Sequence, residues 1–124
     1  MPAEHRIEEV VGCVFSRVFG TLTDEECLHQ SSLKADPAFR NDLNQRWDFR
    51  GVDGIQVTSE TVRRLAASNP FGSGSRRAAV VDSPLAHGLV CMFAAYAGDT
   101  PDDVRVFEDS EEANEWLGLA SDVP

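Results

Sequence analysis

The sequence predicts an α/β fold on a mixed five-stranded sheet, and three observations lead there. Short apolar runs with strand periodicity alternate with segments carrying helix caps and helical spacing, in the order β-β-α-β-α-β-α-β-α. The first two runs are joined by a turn too short for a crossover, so they form an antiparallel hairpin, while each later strand follows a helix and is expected to be parallel. The chain has 124 residues, 42% hydrophobic and 26% charged, which suits one globular domain around one core. The expected domain is 1–124, with its core over about 5–118.

His5 to Val10 and Cys13 to Phe19 read as the hairpin strands, with Gly12 as the turn residue between them. Cys13 sits in the strand-like run and is expected to be a small core residue. Thr23-Asp24-Glu25-Glu26 has the spacing of a capping box, which predicts a helix from Asp24 to about Ala35, closed by Asp36-Pro37. Leu43 to Phe49 is a third strand, bounded by Gly51, Asp53 and Gly54. Thr58 or Ser59 caps a second helix whose face carries Val62, Leu65, Ala66 and Asn69.

Asn69 to Ser75 is turn chemistry, and Arg77-Ala78-Ala79-Val80-Val81 after it is a strand of the kind buried on both faces. Ser83-Pro84 supplies a cap and an N1 proline for a helix from Leu85 to about Tyr96, stopped by Gly98. Val104 to Phe107 is the last strand, and Asp109 or Ser110 caps a final helix with Ala113, Trp116 and Leu117.

Charge narrows the function classes. The net charge is −10, and residues 98–124 hold nine acids against Arg105 alone. Such a surface repels nucleic-acid backbones and anionic lipid headgroups, so neither nucleic acid nor membrane is an expected partner. The longest apolar run, Leu89 to Ala97, is about half the ~20 residues a membrane helix needs. No secretory signal is evident at Met1 to Arg6, so a cytoplasmic location is expected. Three cysteines, Cys13, Cys27 and Cys91, give neither a disulfide framework nor a zinc spacing.

The element order resembles the STAS superfamily, the fold of bacterial anti-sigma-factor antagonists. The residues that carry the resemblance are Gly20 to Glu26, Trp47-Asp48-Phe49, Ser75 to Val81, and Val104 to Asp109 with Ala113, Trp116 and Leu117. In the antagonists a serine at the start of the helix after strand three is phosphorylated, and the resemblance places that role on Ser59 or Thr58. The matching segment, Val57-Thr58-Ser59-Glu60, has no Asp before the serine and no Gly after it, so helix capping is the role expected of it.

Three further constellations stand out. Ser73, Gly74, Ser75, Arg76 and Arg77 could cradle an anion, although the loop lacks the Lys-Ser/Thr of a P-loop and precedes a strand; a surface turn is expected. His87 and Cys91 are four apart on the third helix with no third ligand nearby, so no metal site is expected. His5 and His29 are isolated and expected at the surface. On the third helix a core stripe of Leu85, Leu89, Met92, Phe93 and Tyr96 leaves Ala86, Val90, Cys91 and Ala94 on a second apolar face, which points to a homodimer interface.

No set of nucleophile, base and orienter can be assembled, and no cofactor signature is present. The chain is therefore expected to be a non-enzymatic regulatory or protein–protein interaction module without a cofactor. The alternative is a binder of a small ligand, lipid or nucleotide, with its mouth at the loop from Asn69 to Arg77.

Overall fold

The computed structural model describes residues 3–25, 35–67, 71, 74–98 and 103–119. Five strands, β1 (Ala3–Glu8), β2 (Cys13–Thr23), β3 (Asn44–Gln56), β4 (Arg77–Val80) and β5 (Val104–Phe107), form one sheet in sequential order. The pair β1 and β2 is antiparallel and the remaining pairs are parallel. Three helices are described, α1 (Ser59–Ala67), α2 (Pro84–Ala97) and α3 (Ser110–Leu117). Four were expected; of the one expected from Asp24, residues 24 and 25 are helical and 26–34 lie outside the described residues.

Right-handed crossovers that step in one direction place their helices on one face of a sheet. Accordingly α1 and α2 pack together on the face carrying Val18, Leu22, Phe49, Ala79 and Val81. No strand follows β5, so α3 is free to cover the opposite face, where Ala113 and Leu117 meet Cys13, Phe15, Ala78 and Val80. The alternation of Ala78 and Val80 with Ala79 and Val81 buries β4 on both sides, as its unbroken apolar run predicts. Strand order never reverses, so the sheet lacks the switch point at which open α/β folds usually form a ligand crevice.

The helix boundaries follow their caps. Ser83 Oγ accepts from Ala86 N at 3.2 Å and Asp109 Oδ1 from Glu111 N at 2.8 Å, while Gly98 and Gly118 close α2 and α3 in the left-handed region. The strands depart more from expectation. β1 ends at Glu8, leaving Val10 and Val11 exposed in the turn that Gly12 completes.

β2 and β3 run on together well past Phe19 and Phe49, through register shifts between Arg17 and Phe19 and between Gly20 and Thr21. Gly51 and Gly54, expected to bound the third strand, lie within it. At Gly51 a Cβ would stand 2.9 Å from Phe19 Cβ, so glycine is what lets the two strands approach; at Gly54 the nearest atom, Thr21 Oγ1, is at an ordinary 3.5 Å.

That contrast fixes the sign of two substitutions. Gly51→Ala should destabilise by about 1–3 kcal/mol through overpacking, whereas Gly54→Ala should be neutral or stabilise slightly, because alanine restricts the unfolded chain. Urea unfolding of both variants checks this; equal effects would contradict the packing account.

Candidate functional site

The residue pair singled out for phosphorylation sits at the N-terminus of α1, and the two residues do different work. Thr58 is the cap: its Oγ1 accepts from Thr61 N at 3.2 Å and lies 3.1 Å from Thr61 Oγ1. Asp24, just beyond β2, accepts from Thr58 N at 2.9 Å and from Thr58 Oγ1 at 3.4 Å. A carboxylate therefore already stands at this helix start, where the amides and the dipole favour an anion. Ser59 is the first helical residue and is exposed, so the capping role expected of either residue belongs to Thr58.

The loop before β4 does not gather its polar residues into one cradle. Ser75 is buried, with Oγ in hydrogen-bonding reach of the Asn41 and Leu43 carbonyls. Arg76 and Arg77 project to opposite faces, as neighbours entering a strand must. Arg76 lies over the Trp116 ring and donates to the Trp116 carbonyl at 2.8 Å. Arg77 is buried on the α1 and α2 face beside Gln45 and Val104. Gly74 is exposed with φ +91, and Ser73 lies outside the described residues. Between that face and the helices is an apolar cavity of about 30 Å³, lined by Leu22, Trp47, Phe49, Leu65, Val90 and Phe93. This is room for one or two waters, and gives a lipid or nucleotide no preformed chamber.

The outer surface of α2 differs from expectation by a rotation of the helix about its axis. Ala86 (0% exposed), Leu89, Val90 (5%) and Phe93 are the buried residues, while Leu85 is 67% exposed and Tyr96 41%. Two residues assigned to an interface, Ala86 and Val90, are thus in the core, and Ala94 is half-buried. Ala86 is fully buried in the core cluster that α1 and α2 share over the sheet. The exposed surface carries Leu85, Gly88, Cys91, Ala95 and Tyr96 beside half-buried Met92, with His87 its single ionisable side chain apart from the Cys91 thiol and the Tyr96 hydroxyl. Arg63 of α1 lies over the Tyr96 ring, 5.0 Å from its centroid. Among the described residues, no three His, Cys, Asp or Glu side chains are grouped to hold a metal, and no helix is long and apolar enough to cross a membrane.

Two polar clusters escaped the sequence reading. His5, expected at the surface, is half-buried: its Nδ1 lies 2.7 Å from Ser16 Oγ, which accepts from Gln45 Nε2 at 2.8 Å. Ser16 is 3% exposed, so this hydroxyl is sealed into the sheet face and acts structurally.

The second cluster is on the α3 face. Arg50 grips Asp48 through Nε at 3.0 Å and Nη2 at 2.9 Å, and its backbone N–H donates to the same carboxylate at 2.9 Å. Burial pushes the Asp48 pKa up, but the Arg50 hydrogen bonds outweigh it and hold the carboxyl below its ordinary value. Arg46 donates to Asn114 Oδ1 of α3 at 2.6 Å. Beneath it Cys13 is fully buried, its thiol pushed up to about 11 by that burial and inert as a nucleophile. Cys27 and His29 lie outside the described residues.

No protein-family model and no curated protein matches the chain. Among solved structures it is similar to an uncharacterized protein of the DUF3478 family with a SpoIIAA-like fold from Shewanella loihica PV-4. The two share 18% identity over 93% of each chain, with a TM-score of 0.62. At that identity the likeness is one of fold, and it is the STAS-like architecture that the sequence implied.

Thr58→Ala should cost about 1 kcal/mol, and Ser59→Ala less than about 0.5 kcal/mol, in thermal or urea unfolding; the reverse order would return the cap to Ser59. A depressed folded pKa means that Asp48 stabilises the fold fully above the unfolded value near ~4 and loses this as the pH falls through the lower folded value. The stability difference between wild type and Asp48→Asn should therefore be constant at neutral pH and shrink below about pH 4. Urea midpoints across that range test it, and a difference unchanged by pH would refute the pairing.

Proposed function

We propose that the chain is a non-enzymatic interaction module that associates with a second copy of itself through the outer surface of α2. The observation that carries this reading is that surface: fourteen helical residues without a single Asp, Glu, Lys or Arg, and with Leu85 two-thirds exposed. A helix covering a sheet ordinarily shows water a charged side. Helical geometry of about 100° per residue puts Gly88 and Ala95 along the middle of the exposed surface, flanked by Leu85, Met92 and Tyr96.

This pattern of sizes is self-complementary. An antiparallel two-fold contact whose axis crosses the outer surface at the height of residue 90 sets Leu85 opposite Ala95 and Met92 opposite Gly88, so each large side chain meets a small one. The small residues let the helix backbones approach closely, and no charge on the α2 surface opposes the contact. The fold likeness to a SpoIIAA-like protein supports a small α/β module of this kind, while the α2 surface supplies the partner.

Sedimentation equilibrium at tens of micromolar should show twice the 13.6 kDa of the monomer. Ala95→Glu, an exposed substitution, should yield a folded monomer. A 13.6 kDa species in the wild type, or a dimer that survives Ala95→Glu, would overturn the reading.

A further inference from the structure

On the other side of the sheet from α2, the face beyond α3 opens into a groove of about 350 Å³ bordered by β1, β2 and β3. In a chain of net charge −10, four of the ten arginines line it: Arg6, Arg17, Arg46 and Arg50. Strand register puts them there. Arg6 pairs with Phe15 across the hairpin and Phe15 with Arg46 across the parallel pair, making one transverse row; Glu4, Arg17 and Asp48 make the next. Both guanidiniums of the first row lie over the Phe15 ring, with Cζ 5.1 Å and 4.7 Å from its centroid.

The four arginines of the groove outnumber the two carboxylates that line it, Glu4 and Asp48. Arg50 is committed to Asp48, and Arg6 to Glu8 at 3.0 Å. Arg46 is half-buried, yet its hydrogen-bond partner among the described residues is the neutral amide of Asn114. Arg17 stacks on Phe19 at 5.0 Å with no carboxylate in ion-pair range among the described residues. A partly desolvated guanidinium that keeps its charge is stabilised by any oxyanion that can reach it, and arginine's fork matches carboxylate and phosphate alike.

We propose that this groove is a binding site for the phosphate or carboxylate group of a small molecule, held by Arg46 and by the exposed Arg17 beside it. Phe15 and Asn114 keep the Arg46 guanidinium in place before the ligand arrives, so little side-chain ordering is lost on binding. The remaining volume accommodates a molecule of metabolite size. The site is independent of the α2 contact, since the two lie on opposite sides of the sheet.

Inorganic phosphate and citrate, each titrated against sodium chloride of equal ionic strength, separate the two ligand chemistries from general screening of an acidic chain. At least one should raise the melting temperature saturably, by roughly 5 °C at ten times its dissociation constant. Arg46→Met, which keeps the apolar packing on Phe15, should abolish the rise. Arg17→Gln, exposed and safe for folding, should weaken the dissociation constant at least several-fold, and Arg76→Gln should leave it unchanged. The proposal fails if neither anion exceeds chloride, or if the rise persists undiminished in Arg17→Gln.

Discussion

Each parallel strand in this molecule is laid down beside the previous one in the same direction, and most of what is distinctive about the structure descends from that constraint. Crossovers of one hand cannot then alternate sides, so α1 and α2 share one face and, among the described residues, α3 is the helix on the other. Two helices side by side bury β4 and the centre of β3 thoroughly. One short helix meets this face at β2 to β5, and among the described residues the rest of its hairpin side is finished by the sheet's own side chains. Arginines stacked on Phe15 and Phe19 do that work, covering aromatic surface with their stems and planes while keeping charge at the boundary.

The α/β class, the hairpin, and the caps at Ser83 and Asp109 were legible because each is signalled by a few adjacent residues with one physical meaning. The extent of β3 was not. Gly51 and Gly54 have the composition of a turn, and what keeps them in a strand is the proximity of Phe19, a contact 32 residues away in the chain. The orientation of α2 failed for a different reason. Its apolar residues surround the helix, so the sequence has little periodicity to read, and the deciding influence is the closeness of α1.

Of the site residues, Thr58 and Ser59 could be placed at a helix start but not told apart, since either hydroxyl could have been the cap; Asp24, remote in sequence, distinguishes them. Arg76 and Arg77 are adjacent in sequence and look like a pair, yet strand alternation alone sends them to opposite faces. The arginine groove was in fact written in the sequence. From Arg46 to Arg50 polar residues at 46, 48 and 50 alternate with Trp47 and Phe49, a period of two with an uncovered side. What could not be read was its partner row on β1 and β2, because register between strands is set by the whole sheet.

The upper half of β3 has a dynamic consequence. β4 pairs with β3 through Gln45 to Asp48 alone, so residues 51–56 are bonded to β2 on one side and to no strand on the other among the described residues. They form a two-stranded ribbon projecting from a five-stranded sheet, and such ribbons exchange their amide hydrogens through openings much smaller than global unfolding. The first turn of α1 hangs from this ribbon, and Asp24 at the tip of β2 holds the Thr58 amide. Opening the ribbon therefore releases the helix start at the same time, and the two act as one cooperative unit tied to the core through Leu22 and Val62.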